Sequence, residues 1–180
     1  MDYFSVPITT KQITFKEPLP KQIRSLLLLT FIALSVGVMA QPADQIKLKD
    51  LQQIINNPTE KIQVINFWAT WCAPCVKEIP LLEKLNQEDK EVEVTLVSMD
   101  YDLDPNPEKV YRFISRKNLT SKVLILAESD PNRWIDKIDK NWSGALPATL
   151  VINTKTGKRR FIQRELAEGE LEKMIEEVGK

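Results

Sequence analysis

The sequence contains no histidine, and its charges cancel: 25 Lys and Arg residues stand against 25 Asp and Glu residues in a chain of 180. Without histidine, the chain cannot build a Ser-His-Asp triad, a histidine-rich metal site or an imidazole general base. Nucleic acid is not an expected partner, because a neutral chain with no long basic run lacks the charge that phosphate contacts require. Cysteine is scarce too, and the two that are present, Cys72 and Cys75, lie close together.

An uncharged apolar run of 14 residues, Leu26–Met39, follows basic residues near the N-terminus. A membrane span needs about 20 apolar residues, so this run fits the core of a signal peptide better. The triplet Val38–Ala40 suits signal-peptidase cleavage, which would leave Gln41 as the first residue. We therefore expect residues 1–40 to direct export to the periplasm or cell envelope, and residues 41–180 to form the working domain. An uncleaved signal anchor and a spurious upstream extension are the alternatives.

The rest of the chain alternates between strand-like and helix-like segments, and a hydrophobic content of 43% excludes a disordered chain. Strands separated by helices, then a hairpin and a final helix, predict an α/β sandwich with a mixed sheet. The predicted strands are Ile62–Trp68, Val92–Met99, Val123–Ala127, Ala148–Ile152 and Arg160–Arg164. An amphipathic stretch at Leu48–Ile55 precedes them, and the predicted helices are the stretch after Cys75, Pro107–Lys117, Asn132–Lys140 and Leu166–Val178.

The two cysteines lie in the segment Trp71-Cys72-Ala73-Pro74-Cys75, at the junction between a buried strand and a helix. The unpaired N–H groups and partial positive charge of a helix N-terminus stabilise a thiolate at Cys72. Cys75, one turn further, is expected to be more buried, protonated at rest and positioned to attack a mixed disulfide. Pro74 costs no helical hydrogen bond near the start of a helix, and it stiffens the loop between the sulfur atoms.

Other uses of a cysteine pair are weaker alternatives. A structural disulfide closing so short a loop would constrain the unfolded chain little. Structural zinc needs four ligands, and covalent haem attachment needs a histidine where this chain has Val76. Two alternatives remain. The cysteines could bind copper(I) through two thiolates, or they could be two unrelated buried cysteines. A thiol peroxidase is disfavoured, because Ala69 stands where threonine is usual. We therefore predict no metal site and no cofactor.

The segment from Val64 to Cys75, VINFWATWCAPC, resembles the active-site segment of the thioredoxin superfamily. Within that superfamily it is most similar to the exported TlpA-like branch, which includes the thiol reductases of cytochrome c maturation. Glu78-Ile79-Pro80 continues the match along the helix, and Gly144–Thr149 (GALPAT) resembles the loop that carries a cis-proline facing the dithiol. The resemblance covers about residues 46–178 and implies a thioredoxin-like three-layer sandwich.

The resemblance also implies a substrate-binding surface around the dithiol. It implies a cis peptide bond between Leu146 and Pro147, with the Leu146 backbone pairing with a substrate peptide. Trp71 is expected to be exposed beside Cys72 and to contact partners, and Pro74 completes the surface. A proline just before a buried strand also fits the first position of that strand on physical grounds, since it has no N–H to give to the sheet.

Asn66 departs from the superfamily pattern, in which many members have a buried aspartate six residues before the first cysteine. An amide cannot take up a proton, so a proton relay must use another group. Glu78 lies three residues after Cys75, on a similar helix face, and resembles the acidic residue of the cytochrome-maturation branch. Partial burial would raise the pKa of Glu78 and let it accept the Cys75 proton. The alternative is an ordinary solvated carboxylate.

Together these features predict an extracytoplasmic thiol-disulfide oxidoreductase that reduces disulfides of protein substrates. Cys72 would attack the substrate disulfide, Cys75 would resolve the mixed disulfide, and Glu78 would assist proton movement. Electrons would come from a partner protein such as a membrane thiol carrier, and we expect a monomer. The Ala73-Pro74 pair does not fix the direction of electron flow. A copper(I)-handling or client-binding module without turnover is the alternative function.

Overall fold

The computed structural model describes residues 43–179, which form a six-stranded sheet with helices on both faces. The strands are β1 (Asp44–Ile46), β2 (Ile62–Trp68), β3 (Val92–Ser98), β4 (Lys122–Leu126), β5 (Ala148–Ile152) and β6 (Arg159–Ile162). Their order in the sheet is β1-β4-β3-β2-β5-β6. The first four strands in this order pair in parallel, whereas β5 is antiparallel to both β2 and β6. The predicted mixed sheet is therefore confirmed.

β2 lies at the centre of the sheet, and it is apolar on both of its faces. Val64 and Trp68 point into one hydrophobic core, and Ile65 and Phe67 point into the other. A strand buried on both faces appears in the sequence as a nearly continuous apolar run. This burial explains why the predicted bounds of β2 agree with the structure.

Helices form the two outer layers of the predicted α/β sandwich. They are α1 (Leu48–Asn56), α2 (Ala73–Glu88), α3 (Glu108–Lys117) and α4 (Glu170–Gly179). The core on the Val64 face is completed by α2, α3 and α4, and the core on the Phe67 face by α1 and the segment 131–142. The cysteines belong to the first of these cores.

The prediction of one helix over Asn132–Lys140 is wrong. The structure has two 3₁₀ turns here, Pro131–Arg133 and Ile135–Lys137, with Trp134 between them. Trp134 has a φ of −147°, outside the helical range, and its ring packs against Trp142 with a centroid distance of 6.0 Å. Burial of the ring therefore outweighs the helical preference of the flanking residues.

The last helix begins at Glu170 rather than at the predicted Leu166, and the edge strand β1 has no counterpart in the prediction. Gly169 has a φ of 72°, which a right-handed helix cannot include, so α4 starts after it. β1 is three residues long and mostly exposed, so no hydrophobic pattern marks it. The other predicted elements agree with the structure to within two residues at each end.

The predicted signal segment, residues 1–40, lies outside the described residues. In the stretch from residue 43 to residue 179, no helix combines the length and hydropathy needed to cross a membrane.

Candidate active site

The cysteine pair lies in the turn between β2 and α2. Cys72 is the N-cap of α2, and its Sγ accepts a hydrogen bond from the Cys75 N–H at 3.4 Å. The two sulfur atoms form a disulfide bond. Cys72 keeps 6% of its surface exposed and Cys75 keeps none, while Ala73 and Pro74 are exposed in the first turn of α2. The less buried of the two cysteines therefore lies at the positive end of the helix, as predicted.

Asp100 holds the turn that carries Cys72. β2 and β3 pair in parallel with Trp68 opposite Ser98, so the residues that follow the two strands meet at one edge of the sheet. The Thr70 N–H at 3.0 Å, the Thr70 hydroxyl, and the Ser98 hydroxyl at 2.8 Å all donate to the buried Asp100 carboxylate. Nothing in the local pattern predicts this contact, because Thr70 and Asp100 are brought together only by the strand pairing.

Glu78 lies one helical turn after Cys75 and is buried, with 4% of its surface exposed. Its Oε1 accepts a hydrogen bond from Asn66 Nδ2 at 2.7 Å, and its Oε2 accepts one from the Leu166 N–H at 3.1 Å. Asn66 Nδ2 also donates to Thr149 Oγ1 at 3.0 Å. Groups from β2, β5 and the segment before α4 thus enclose the carboxyl group. The predicted burial is confirmed, and the alternative of a solvated carboxylate is wrong.

Burial raises the pKa of Glu78 above its ordinary value of 4.5, because the charged form has lost its hydration. The Leu166 N–H and the Asn66 amide oppose this rise, and the negative charge of Glu165 adds to it. Glu165 forms an ion pair with Lys77 at the surface, at 2.5 Å. A raised pKa brings the Glu78 carboxyl group closer to the pKa of a thiol, which favours proton transfer between the two.

A second loop borders the dithiol. The Leu146–Pro147 peptide bond is cis, as the resemblance implies. Pro147 is buried and Leu146 is half-buried. Leu146 and Trp71 line the same groove of about 210 Å³, so the proline loop and the dithiol loop border one surface. The other residues that line this groove are Met99, Asp102, Leu103, Pro131, Ile135, Trp142 and Gly144.

Two large apolar side chains are exposed at this groove. Trp71 is 57% exposed, which confirms the prediction, and Leu103 is 69% exposed. Leu103 does not figure in the predicted site. The sequence signal for Leu103 is weak, since it consists of one leucine within the polar stretch Asp100–Pro107.

Among residues 43–179, no group of three or more Cys, Asp or Glu side chains is placed to hold a metal ion.

The structure has a cysteine pair at a helix N-terminus and a cis-proline loop on a mixed sheet flanked by helices. These features are typical of the thioredoxin-like class. Residues 39–167 match the Redoxin family, and the chain therefore belongs to that family. The thioredoxin-related protein from Neisseria meningitidis serogroup B has the same fold, with a TM-score of 0.57 and 24% identity over 67% of this chain and 86% of that one. The predicted superfamily and the thioredoxin-like fold are confirmed.

Two relatives carry the name thiol-disulfide oxidoreductase ResA. The protein of Halalkalibacterium halodurans is 34% identical over 90 residues, which cover 49% of this chain and 46% of the relative. The protein of Oceanobacillus iheyensis is 28% identical over 144 residues, which cover 76% of this chain and 71% of the relative. The match thus spans about half the length of the first relative and 71% of the length of the second.

Proposed function

We propose that this protein is an extracytoplasmic thiol-disulfide oxidoreductase that reduces disulfide bonds in polypeptide substrates. The observation that carries the proposal is the sulfur pair at the end of β2, in which Cys72 at a helix N-terminus keeps 6% of its surface exposed and is bonded to a fully buried Cys75. The two ResA relatives are named thiol-disulfide oxidoreductases, which supports the same chemistry for this chain.

The reaction starts from the reduced pair. Cys72 attacks the substrate disulfide as a thiolate, which forms a mixed disulfide and releases the first substrate thiolate. Cys75 then attacks the Cys72 sulfur, closes the intramolecular disulfide and releases the second thiolate. Two electrons pass from the dithiol to the substrate. The N-terminus of α2 stabilises the attacking thiolate, and burial keeps Cys75 protonated until it attacks the mixed disulfide.

Glu78 is the proposed acceptor of the Cys75 proton. The two residues are three positions apart on α2, so their side chains share a helix face. The buried carboxyl group with a raised pKa is suited to hold that proton while the Cys75 thiolate attacks.

Trp71, Pro74, Leu146 and Pro147 form the proposed substrate-binding surface. The half-buried Leu146 offers its backbone to an extended peptide, and the exposed Trp71 ring borders the same groove. Because this groove is mainly apolar, we expect the substrate to place an apolar side chain beside its reacting cysteine.

The apolar segment Leu26–Met39 supports export to the periplasm or cell envelope as part of this proposal. A membrane thiol carrier outside the cytoplasm would return electrons to the oxidised pair. No bound cofactor is required, because the electrons travel in the Cys72–Cys75 pair itself. We propose that the protein acts as a monomer.

The direct test is the reduction of insulin disulfides by dithiothreitol, with and without the protein. Wild type is expected to accelerate the reaction and Cys72→Ser to abolish the acceleration. Cys75→Ser, reduced beforehand and mixed with insulin without dithiothreitol, is expected to form a mixed disulfide visible by mass spectrometry. The proposal fails if wild type adds nothing to dithiothreitol alone. Stoichiometric copper(I) binding by such an inactive protein would favour a metal-handling module.

The direction of electron flow is tested by equilibrating the Cys72–Cys75 pair against glutathione or dithiothreitol. A reduction potential near or below about −230 mV supports the proposed reductant, and one near about −120 mV would mark a disulfide donor instead.

A further inference from the structure

Asn66 presents a buried amide that is satisfied on one side only. Its Nδ2 makes two hydrogen bonds, to Glu78 Oε1 and to Thr149 Oγ1. Its Oδ1 is buried and accepts none from any residue between 43 and 179. A buried acceptor without a donor costs free energy, so the orientation of the Asn66 amide needs a physical explanation. In the reversed orientation of the amide, Oδ1 would lie beside Glu78 and Thr149 and Nδ2 would take the place that Oδ1 now occupies.

Protonation of Glu78 creates a donor for Oδ1 in that orientation. In the structure, both carboxylate oxygens face N–H groups, from Asn66 and Leu166. A protonated carboxyl group carries an O–H and needs an acceptor in place of one of these donors. The Leu166 N–H is part of the backbone and stays a donor. The Asn66 amide can exchange its oxygen and nitrogen by a half-turn about its last torsion.

We propose that Asn66 is a positioning residue whose side-chain amide turns over with the protonation state of Glu78. Nδ2 donates to the carboxylate, and Oδ1 accepts from the carboxylic acid. Thr149 supports both orientations, because its hydroxyl accepts from Nδ2 in the first and can donate to Oδ1 in the second. Glu78 therefore keeps a hydrogen bond with the same neighbour in both states, as acceptor when ionised and as donor when protonated, which lets a buried group gain and lose a proton repeatedly.

The inference rests on the proposed function, since it concerns the step in which Cys75 becomes a thiolate. Cys75 gives its proton to the Glu78 carboxylate, and its sulfur attacks Cys72 in the mixed disulfide. The Cys72–Cys75 bond forms, the bond to the substrate sulfur breaks, and the substrate leaves as a thiolate. Glu78 then returns the proton to solvent, from which the departing thiolate takes one.

The titratable and charged groups around Glu78 come from two elements. On α2 they are Cys75 and Lys77, and on the segment before α4 the group is Glu165, which forms an ion pair with Lys77. β2 and β5 contribute the uncharged Asn66 and Thr149. The amide is thus the neighbour that can change from donor to acceptor without a change of charge.

The first test follows the reduced wild-type protein by NMR over a pH titration. The nuclear Overhauser effect between the Asn66 amide protons and Thr149 is expected to be strong where Glu78 is ionised. It should disappear as the Glu78 carboxyl carbon reports protonation, with the same midpoint. An effect that persists while Glu78 titrates overturns the inference, and this measurement needs no variant to fold.

The second test separates the two sulfur attacks by stopped flow. The reduced protein is mixed with an aromatic disulfide, whose first thiolate is released by Cys72 and whose second is released by Cys75. Asn66→Leu removes the donor to the carboxylate, so the pH midpoint of the second phase is expected to shift to higher pH while the first phase stays the same. Thr149→Val removes a partner that both orientations share, so it should shift the midpoint by less than Asn66→Leu does.

Thr95→Val is the matched control for Thr149→Val. Thr95 is also a buried threonine, but strand alternation turns it to the face opposite Val94 and Leu96, away from Glu78. Both phases should match wild type in this variant. If Asn66→Leu leaves the second phase unchanged while Glu78→Gln removes its pH dependence, the inference fails and the proposed function stands. If Glu78→Gln has no effect either, the proposed proton acceptor is wrong as well.

Discussion

Glu78 shows what a single buried carboxyl group costs the protein. The Leu166 N–H and the Asn66 amide replace only part of the water that the carboxylate has lost, so its pKa lies above 4.5 in the folded state. The folded protein therefore holds this proton to higher pH than the unfolded chain does. The resulting contribution to stability is fully present below about pH 4.5 and is lost as the pH rises through the raised pKa.

Glu78→Gln is accordingly expected to stabilise the fold at alkaline pH. The glutamine cannot ionise, so it avoids the cost of a buried charge while it still accepts hydrogen bonds. Urea unfolding at about pH 8 should give a larger free energy for the variant than for wild type, and the difference should shrink towards about pH 4. Glu88→Gln, an exposed change on the same helix, should show no such trend. A variant that is less stable than wild type at both pH values would contradict the expectation.

The residues of the site divide by how far along the chain their partners lie. Cys72, Cys75 and Glu78 follow one another on α2, so a local motif and helical spacing suffice to predict their grouping. Thr149 and Leu166 are 83 and 88 residues from their partners in this cluster. Their contribution depends on the register in which β5 pairs with β2 and on where α4 starts, and neither can be read from a local pattern.

At the scale of elements, an ion pair between Arg164 and Glu170 helps to hold the connection from β6 to α4. Arg164 makes two hydrogen bonds of 2.7 Å to the Glu170 carboxylate, and the Ala167 N–H donates to the same group at 2.9 Å. These bonds lower the pKa of Glu170 to about 2. The same connection supplies the Leu166 N–H that bonds Glu78. A surface ion pair thus helps to keep the buried carboxyl group enclosed.

Arg164→Ala is expected to loosen this connection above about pH 4.5, where Glu170 is ionised in both folded and unfolded chains. Amide hydrogen exchange at Leu166 and Ala167 should be a few-fold faster than in wild type. A group with a lowered pKa loses its contribution as the pH falls through that pKa, so the difference should vanish towards pH 2. Arg112→Ala, which breaks an exposed pair on α3, should leave these two amides unchanged. Equal exchange in Arg164→Ala and wild type would show that the pair does not hold the segment.

Elements with a strong hydrophobic pattern are the ones that sequence predicts well. β2 and β5 are buried along almost their whole length, and their bounds agree with the prediction. Sequence predicts β1 and the segment 131–137 poorly. β1 is stabilised by pairing with β4, and the segment 131–137 is stabilised by the burial of Trp134. Both effects come from the assembled fold.

At the scale of the whole molecule, we expect the fold not to depend on the Cys72–Cys75 bond. The sheet separates two hydrophobic cores, and the bridge closes a loop with a sequence separation of only 3. Reduction is expected to leave the far-ultraviolet circular dichroism unchanged and to alter the free energy of unfolding by no more than about 2 kcal/mol, the entropy of closing so small a loop.

Urea unfolding before and after reduction checks this, and the double variant Cys72→Ser with Cys75→Ser should behave like the reduced protein. Loss of the folded signal on reduction would mean that the bridge is structural.

The alternation of strands and helices along the chain suffices to predict three layers. The strand pairing that brings together the dithiol, proline and Asp100 loops is a property of the sheet as a whole.

The four tryptophans are unevenly placed. Trp68, Trp134 and Trp142 are buried, whereas Trp71 is exposed and lines the groove. A dissolved ionic quencher such as iodide can collide with Trp71 and is kept from the other three rings. A polypeptide lying in the groove would shield that one indole. The molecule therefore carries its own optical reporter of groove occupancy, and its fluorescence can follow the arrival and departure of a substrate without any attached dye.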